Sequence, residues 1–537
     1  MRLYYLKNGR KHVAKFSDKV VKFDVRMFNN RTTVRIKALE DITLLKADEV
    51  IPFNVNFHDL YFLNGYQSWT DTKEFRLSER LRNIKKSPHI ISKMFAMDRY
   101  GDSTFYKYSI KKSHGYDLFY SRGEYEMLIY SHNFKTAYLI IELIKDRKSV
   151  HLISDVKNIS LKKGEEITIF DYSLFYDLKE GMISYLNDFE NKNVDKIFGY
   201  TSWYNYYQNI NEKIILRDLE GLDNRFNLFQ IDDGYETFVG DWLDIDPNKF
   251  PTGLKAIVDK IHSKGLKAGI WLAPFVAEYK SKLFNEHPEY FRKDKKGEAF
   301  KAGGNWSGSY CLDLDKKEVR DYIKECLTYY VDLGFDFFKL DFLYASALPE
   351  YKGRSRAQVQ QEAYEFLRGI LKDKIILGCG AHIANSFNNF DYLRVGPDVS
   401  LIFDDVAYMK LFHRERISTK VTLQNTIYRS FMNNHLFGND PDVFLLRDDN
   451  IELSNEQKRA LITINALFGS VLMTSDNVGS YDDKKKELLS KSLELFYKAK
   501  VKEYKTDRHL IKVTYELDGQ EHNFIYNTQK GELSNER

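Results

Sequence analysis

Beyond about residue 195 the chain repeats one unit, a short apolar run and then a helix-patterned stretch, and this rhythm limits its fold most tightly. The runs are FGYTSW (198–203), NLFQID (227–232), LKAGIWL (266–272), FDFFKLDF (335–342), KIILGC (374–379) and YLRVG (392–396). Two more, near HLFGND (435–440) and SVLMTSD (470–476), bring the number to eight. Runs this apolar read as strands buried on both faces, as in a parallel sheet. Between them, residues 316–334 place Val319, Ile323, Cys326, Leu327 and Tyr330 at helical spacing, with Gly334 as the stop. Eight such units over about 280 residues predict a (β/α)8 barrel. An open doubly wound sheet is the alternative, but no glycine-rich phosphate loop follows any strand.

The flanks read differently. TTVRIKAL (32–39), TAYLIIEL (136–143), SVHLISDV (149–156) and EEITIFDYSLFYDL (165–178) mix alternation with β-branched and aromatic residues, predicting an N-terminal antiparallel sandwich. Near the other end, HLIKVTYEL (509–517), Asp518-Gly519 and EHNFIYN (521–527) read as a hairpin. The expected division is a β-sandwich over 1–185, the barrel over 195–480 and a small β domain over 481–537.

The charge is nearly balanced, +4 from 81 basic and 77 acidic side chains, with no long basic tract. That argues against a nucleic-acid partner. No 18-residue apolar run suggests a membrane span, and the start lacks the apolar core of a signal peptide. Cys311, Cys326 and Cys379 make a poor disulfide framework. The expectation is a cytoplasmic protein.

In a barrel, chemistry collects at the carboxyl ends of the strands. Read there, the sequence offers Trp203-Tyr204, Asp232-Asp233, Trp271, Lys339 with Asp341, Cys379, and Arg394 with Asp398. Lys339 and Asp341 share one strand face inside an apolar run, where unpaired charge is costly. They are either a structural ion pair or part of a site. Asp232 and Asp233 could instead cap a following helix, Asp398 could be a turn residue after Pro397, and Cys379 could be plain packing. All five tryptophans (Trp69, Trp203, Trp242, Trp271 and Trp306) fall in or near this region. Trp69 belongs there only if the sandwich docks on the barrel mouth; otherwise it packs a domain interface.

Carboxyl pairs, cationic donors and aromatic faces suit glycoside cleavage, with a small carbohydrate as partner. Other chemistries could use the same barrel. Lys339 could form a Schiff base, although neighbouring Asp341 would raise its pKa, and acids at successive strand ends could hold Mg²⁺. A non-catalytic sugar-binding protein is a third reading.

The segments GYTSWYNYY (199–207), FQIDDGYETFVGDWL (229–243), GIWLAPF (269–275), FNEHPEY (284–290), FKLDFLYA (338–345), LGCG (377–380) and RVGPD (394–398) resemble, in order, those of glycoside hydrolase family 36, chiefly retaining α-galactosidases. NGYQSW (64–69) and the β–barrel–β layout extend the resemblance over nearly the whole chain. The resemblance implies Asp341 as nucleophile and Asp398 as acid/base, with no cofactor and no metal. Trp69, Trp203, Tyr204, Asp232, Asp233, Trp271, Lys339 and Arg394 would line the galactose subsite, and Cys379 and Gly380 would border its 2-position. Lys339 would hold sugar hydroxyls and help keep Asp341 ionised. The sequence departs from relatives at Ala381-His382 and at VSLIF (399–403), around the 2-position and leaving-group side. This leaves open the aglycone, the related α-N-acetylgalactosaminidase activity, and assembly as a homo-oligomer.

Overall fold

The structure is a computed structural model describing residues 1–79, 94, 96–144, 148–189 and 193–535. Eight parallel strands form the predicted barrel: Ile197–Thr201, Leu228–Ile231, Lys267–Leu272, Phe337–Leu340, Ile375–Gly378, Tyr392–Arg394, Gly438–Asp440 and Val471–Thr474. The seventh is broken at Pro441. Its first piece pairs with the sixth strand, while Val443–Phe444 beyond the break pairs with the eighth. The eighth pairs in turn with the first, closing the ring. Proline has no N–H to give a ladder, so the ring closes through two short pieces. Helix Lys317–Leu333 buries the five predicted residues and ends at Gly334 with φ 101°, a left-handed stop that favours glycine.

Two seven-stranded antiparallel sheets make the N-terminal sandwich. Strand Arg31–Ala38 shows the alternation that builds it, with Thr32, Val34, Ile36 and Ala38 buried against the facing sheet. A four-stranded sheet, Lys500–Asp507, Leu510–Leu517, Gln520–Asn527 and Glu532–Ser534, lies at the other end. Its central hairpin turns at Asp518 and Gly519, both at positive φ as a type I′ turn requires. A helix, Asp483–Lys498, precedes this sheet and packs against helix Asn455–Phe468 of the barrel.

One element was not anticipated. A small sheet of Val276–Glu278, Lys301–Gly303 and Ser309–Cys311 is inserted between the third and fourth barrel strands and carries Asn305 and Trp306 in its loop. Among the described residues, no helix is long and apolar enough to cross a membrane.

Candidate active site

The carboxyl ends of the barrel strands open into a cavity of about 640 Å³. Trp69, Trp203, Tyr204, Asp232, Asp233, Trp271, Lys339, Asp341 and Asp398 all line it. Trp69 arrives from the sandwich, in the loop between strands Leu60–Leu63 and Glu74–Phe75. Its ring meets Phe342 and Tyr344 edge-on, at 5.4 and 5.7 Å between centroids. Its indole N–H is buried with no partner.

Lys339 and Asp341 do not form the direct pair that their spacing suggested. The Lys339 ammonium donates to Asp232 Oδ2 at 2.8 Å. Burial works against its charge, but the adjacent Asp232 carboxylate outweighs that and raises its pKa. Asp341 is held otherwise: Trp271 Nε1 donates to Oδ2 at 3.1 Å and the Phe342 amide to Oδ1 at 2.8 Å. Burial pushes its carboxyl up to about 6, although Lys339 pulls the other way. Lys339 therefore eases the ionisation of Asp341 without restoring it to an ordinary value. Phe342, which supplies that amide, sits at φ 54°. A non-glycine residue in the left-handed region stores strain, which commonly gathers at functional sites.

Asp232 and Asp233 cap no helix, because the next begins at Gly253 with Thr252 as its cap residue. Asp232 Oδ2 also accepts from Thr201 Oγ1 and Gln230 Nε2, at 3.1 and 2.6 Å. Asp233 accepts from Gln208 Nε2 at 3.0 Å and Trp306 Nε1 at 2.8 Å. Burial raises the carboxyl pKa of Asp233, and that of Glu236, which contacts it, still further.

Three expected sugar contacts stand one layer back. Cys379 is buried, with its thiol pushed up by burial, and does not line the cavity. Gly380 lies beneath Trp69: at φ 57° a Cβ there would come within 3.0 Å of the indole. Arg394 is drawn from the cavity by acids that the sequence reading missed. Its Nε meets Asp440 Oδ2, its Nη2 Asp442 Oδ1 and its Nη1 Asp398 Oδ1, at 2.8, 2.8 and 2.9 Å. Asp440 and Asp442 flank the proline that breaks the seventh strand, and the signal available was DPD (440–442) at a predicted strand end. Burial pushes Asp442 up to about 7 against the pull of Arg394, and Tyr204 donates its hydroxyl to the same carboxylate at 2.5 Å. Asp398 is the exposed member of the trio, with a third of its side chain accessible.

Trp242 is core, buried and packed edge-on against Trp271 at 5.8 Å. Trp306 does line the cavity, as do Tyr100, Asn305 and Phe342, which sequence reasoning did not select. The segment after Asp398 adds a mixed wall, with Leu401, Ile402, Met409 and Ile417 beside Asp405, His413, Glu415 and Arg416.

Residues 189–375 match the family model Melibiase. The matched segment, about a third of the chain, runs from just before the first barrel strand to the start of the fifth. Alpha-galactosidase Mel36A of Lactobacillus acidophilus is 33% identical over 145 residues, covering 26% of this chain and 19% of that protein. The chain thus spans about a fifth of the length of the curated relatives it matches. The solved structure of TtGalA, an α-galactosidase from Thermus thermophilus in complex with p-nitrophenyl α-D-galactopyranoside, superposes with a TM-score of 0.73 at 23% identity, covering 97% of this chain and 98% of the other. The family 36 α-galactosidase AgaA from Geobacillus stearothermophilus gives 0.62 at 11% identity, over 94% and 72%. The barrel, the sandwich before it and the small sheet after it thus share the fold of these two α-galactosidase structures.

Proposed function

We propose that the chain is a retaining, exo-acting α-galactosidase that removes terminal α-D-galactosyl residues from galacto-oligosaccharides through a covalent glycosyl-enzyme. The observation that carries this reading is one cavity lined by two carboxyl groups in unlike settings. Asp341 is buried, with both oxygens oriented by donors, which suits a nucleophile that must meet the anomeric carbon in one pose. Asp398 is more accessible and anchored through Arg394, on the side where a leaving group departs and water enters. As acid/base it gives a proton to the departing oxygen, then takes one from the water that cleaves the intermediate. Lys339 has two N–H bonds beyond the one to Asp232 for sugar hydroxyls, and Asp232 and Asp233 accept from the 4- and 6-hydroxyls. The unpartnered indole N–H of Trp69 is a further donor. We place this activity in the cytoplasm, a reducing compartment that suits three buried cysteines with no disulfide among them.

Hydrolysis of 4-nitrophenyl α-galactoside, α-glucoside and α-N-acetylgalactosaminide tests the substrate. A site built to bond the axial 4-hydroxyl should favour the α-galactoside over the α-glucoside by at least about 100-fold. Equal rates on the two would overturn the reading, and preference for the galactosaminide would shift it to that sugar. Variants test the roles. Asp341→Ala should lose turnover on every substrate. Asp398→Ala should still cleave aryl galactosides with acidic leaving groups, then stall until azide displaces Asp341 from the β-linked glycosyl-enzyme and leaves as α-galactosyl azide. A β-configured azide would show that Asp398 has been given the wrong role.

A further inference from the structure

Strand Val21–Phe28 is the outer edge of its seven-stranded sheet and pairs only with Arg31–Ala38. Its outward groups can be read from its first half. The Phe23 amide donates to Ser17 Oγ and the Val21 amide to Asp18 Oδ1, at 2.9 and 2.8 Å, so the odd-numbered residues turn their peptide groups away from the sheet. The ladder carries no bulge, so Val25 and Met27 do the same, and no described residue bonds their amides. The side chains are just as unusual for an edge. Val21 is buried and Phe23 half-buried, but Val25 and Met27 on the same face are 52% and 77% exposed, and Phe28 is 77% exposed. Edges are normally blunted by charge, proline or bulges. Here Asp24 and Arg26 are the only charges between Phe23 and Phe28.

We propose that this edge pairs antiparallel with the same strand of a second copy of the chain, about a two-fold axis at Val25, joining the two sandwiches into one continuous sheet. The choice of partner and register rests on charge. Asp24 and Arg26 already pair within the strand at 3.0 Å; with Val25 opposite Val25, Asp24 also faces Arg26 of the copy and Arg26 its Asp24, so the four charges alternate about the two-fold axis. Phe23, Val25 and Met27 of each copy then cover one another on the other face, where the single chain leaves them open. Lys22 lies opposite Phe28, whose ring offers a face to the ammonium. A slip of two in the register sum places Arg26 on Arg26, which repulsion disfavours. The Phe23 amide exchanges its bond to Ser17 for one to a carbonyl of the copy. The site lies on the sandwich, away from the barrel mouth, so this inference stands or falls independently of the proposed activity.

Sedimentation of the full chain at micromolar concentration should give twice the 63.4 kDa chain mass. Asp24→Arg alone and Arg26→Asp alone each set like charges opposite one another and should sediment at one chain mass. Their equimolar mixture should return to two, as a complex of one copy of each, and the double variant D24R/R26D should pair with itself. Val25→Cys should cross-link two copies under mild oxidation, because hydrogen-bonded cross-strand residues sit at about 5.5 Å between Cα atoms, within disulfide range. All variants change exposed residues, so hydrolytic activity serves as the check on folding. A monomeric wild-type chain, or an assembly indifferent to the charge reversals, or a mixture that stays monomeric, would overturn the proposal.

Discussion

Asp341 shows how a single residue can trade stability for chemistry. Its carboxyl is held at about 6, raised from 3.8, chiefly because burial penalises the charged form. The folded chain therefore binds this proton more tightly than the unfolded chain does. Stability falls as pH rises from about 4 to about 6 and stays at the lower level above that. At ~1.4 kcal/mol per pKa unit, the cost at neutral pH is at most about 3 kcal/mol. Asp341→Asn keeps an oxygen for the Phe342 amide and removes the charge. The variant should thus be inactive yet melt higher than the wild type at pH 7, with the two curves converging near pH 4. A lower melting temperature at neutral pH would mean that the hydrogen bonds outweigh the buried charge. The same group sets the acid limb of catalysis. A nucleophile must be ionised, so kcat/KM should fall as pH drops through about 6.

At the scale of elements, what brings Trp69 to the barrel is one buried arginine. Arg429, at the end of helix Thr419–Tyr428, is fully buried and reaches into the 64–72 loop. It donates to Ser68 O and Val395 O, both at 2.7 Å, to Thr72 Oγ1 at 2.9 Å and to Asn64 Oδ1 at 3.1 Å. The Ser68 amide completes the seam by donating to Ala381 O at 2.9 Å. Arg429→Met strands these acceptors in a dry interface and should cost about 3–5 kcal/mol, with kcat/KM falling as Trp69 loses its seat. Trp69→Ala should lower kcat/KM while leaving the melting temperature nearly unchanged, and the reverse pattern would make Trp69 a packing residue. None of this seam is visible in the order of residues, since it joins positions more than 300 apart. The barrel strands were legible for the opposite reason: burial on both faces leaves a continuous apolar run, a local signal. The break at Pro441 and the inserted sheet were not, because two- and three-residue strands carry no periodicity to detect. The aspartates and tryptophans at strand ends were readable from the barrel rule alone. Arg394 and Gly380 were readable as strand-end residues, but their retreat from the cavity depended on Asp440 and Asp442 on either side of the proline and on the indole over Gly380.

For the molecule as a whole, the cavity binds the parts to one another. Trp69 and Tyr100 come from the N-terminal region, the acids from the barrel and Trp306 from the inserted sheet, so no single part holds the site. The C-terminal sheet is tied in from the other side. Thr506 donates to the buried Glu74 carboxylate of the sandwich at 2.7 Å, while its hydroxyl also meets that of Tyr428 in the barrel at 3.0 Å. Burial raises the carboxyl pKa of Glu74, which Tyr120 and Arg122 also bond, at 3.0 and 2.8 Å. Severing any one of these parts leaves buried polar groups of another without partners, at roughly 1–3 kcal/mol for each. The sandwich has a core of its own, while the C-terminal sheet shares that of the barrel, and parts with separate cores would ordinarily melt in separate steps. With junctions this polar and this buried, calorimetry should instead record one transition. Galactose at about 100 times its dissociation constant should stabilise that transition as a unit, by about 2.7 kcal/mol. Two resolved transitions, with the sugar moving only one, would show that the sandwich and the barrel fold independently and that Trp69 docks on a barrel already formed.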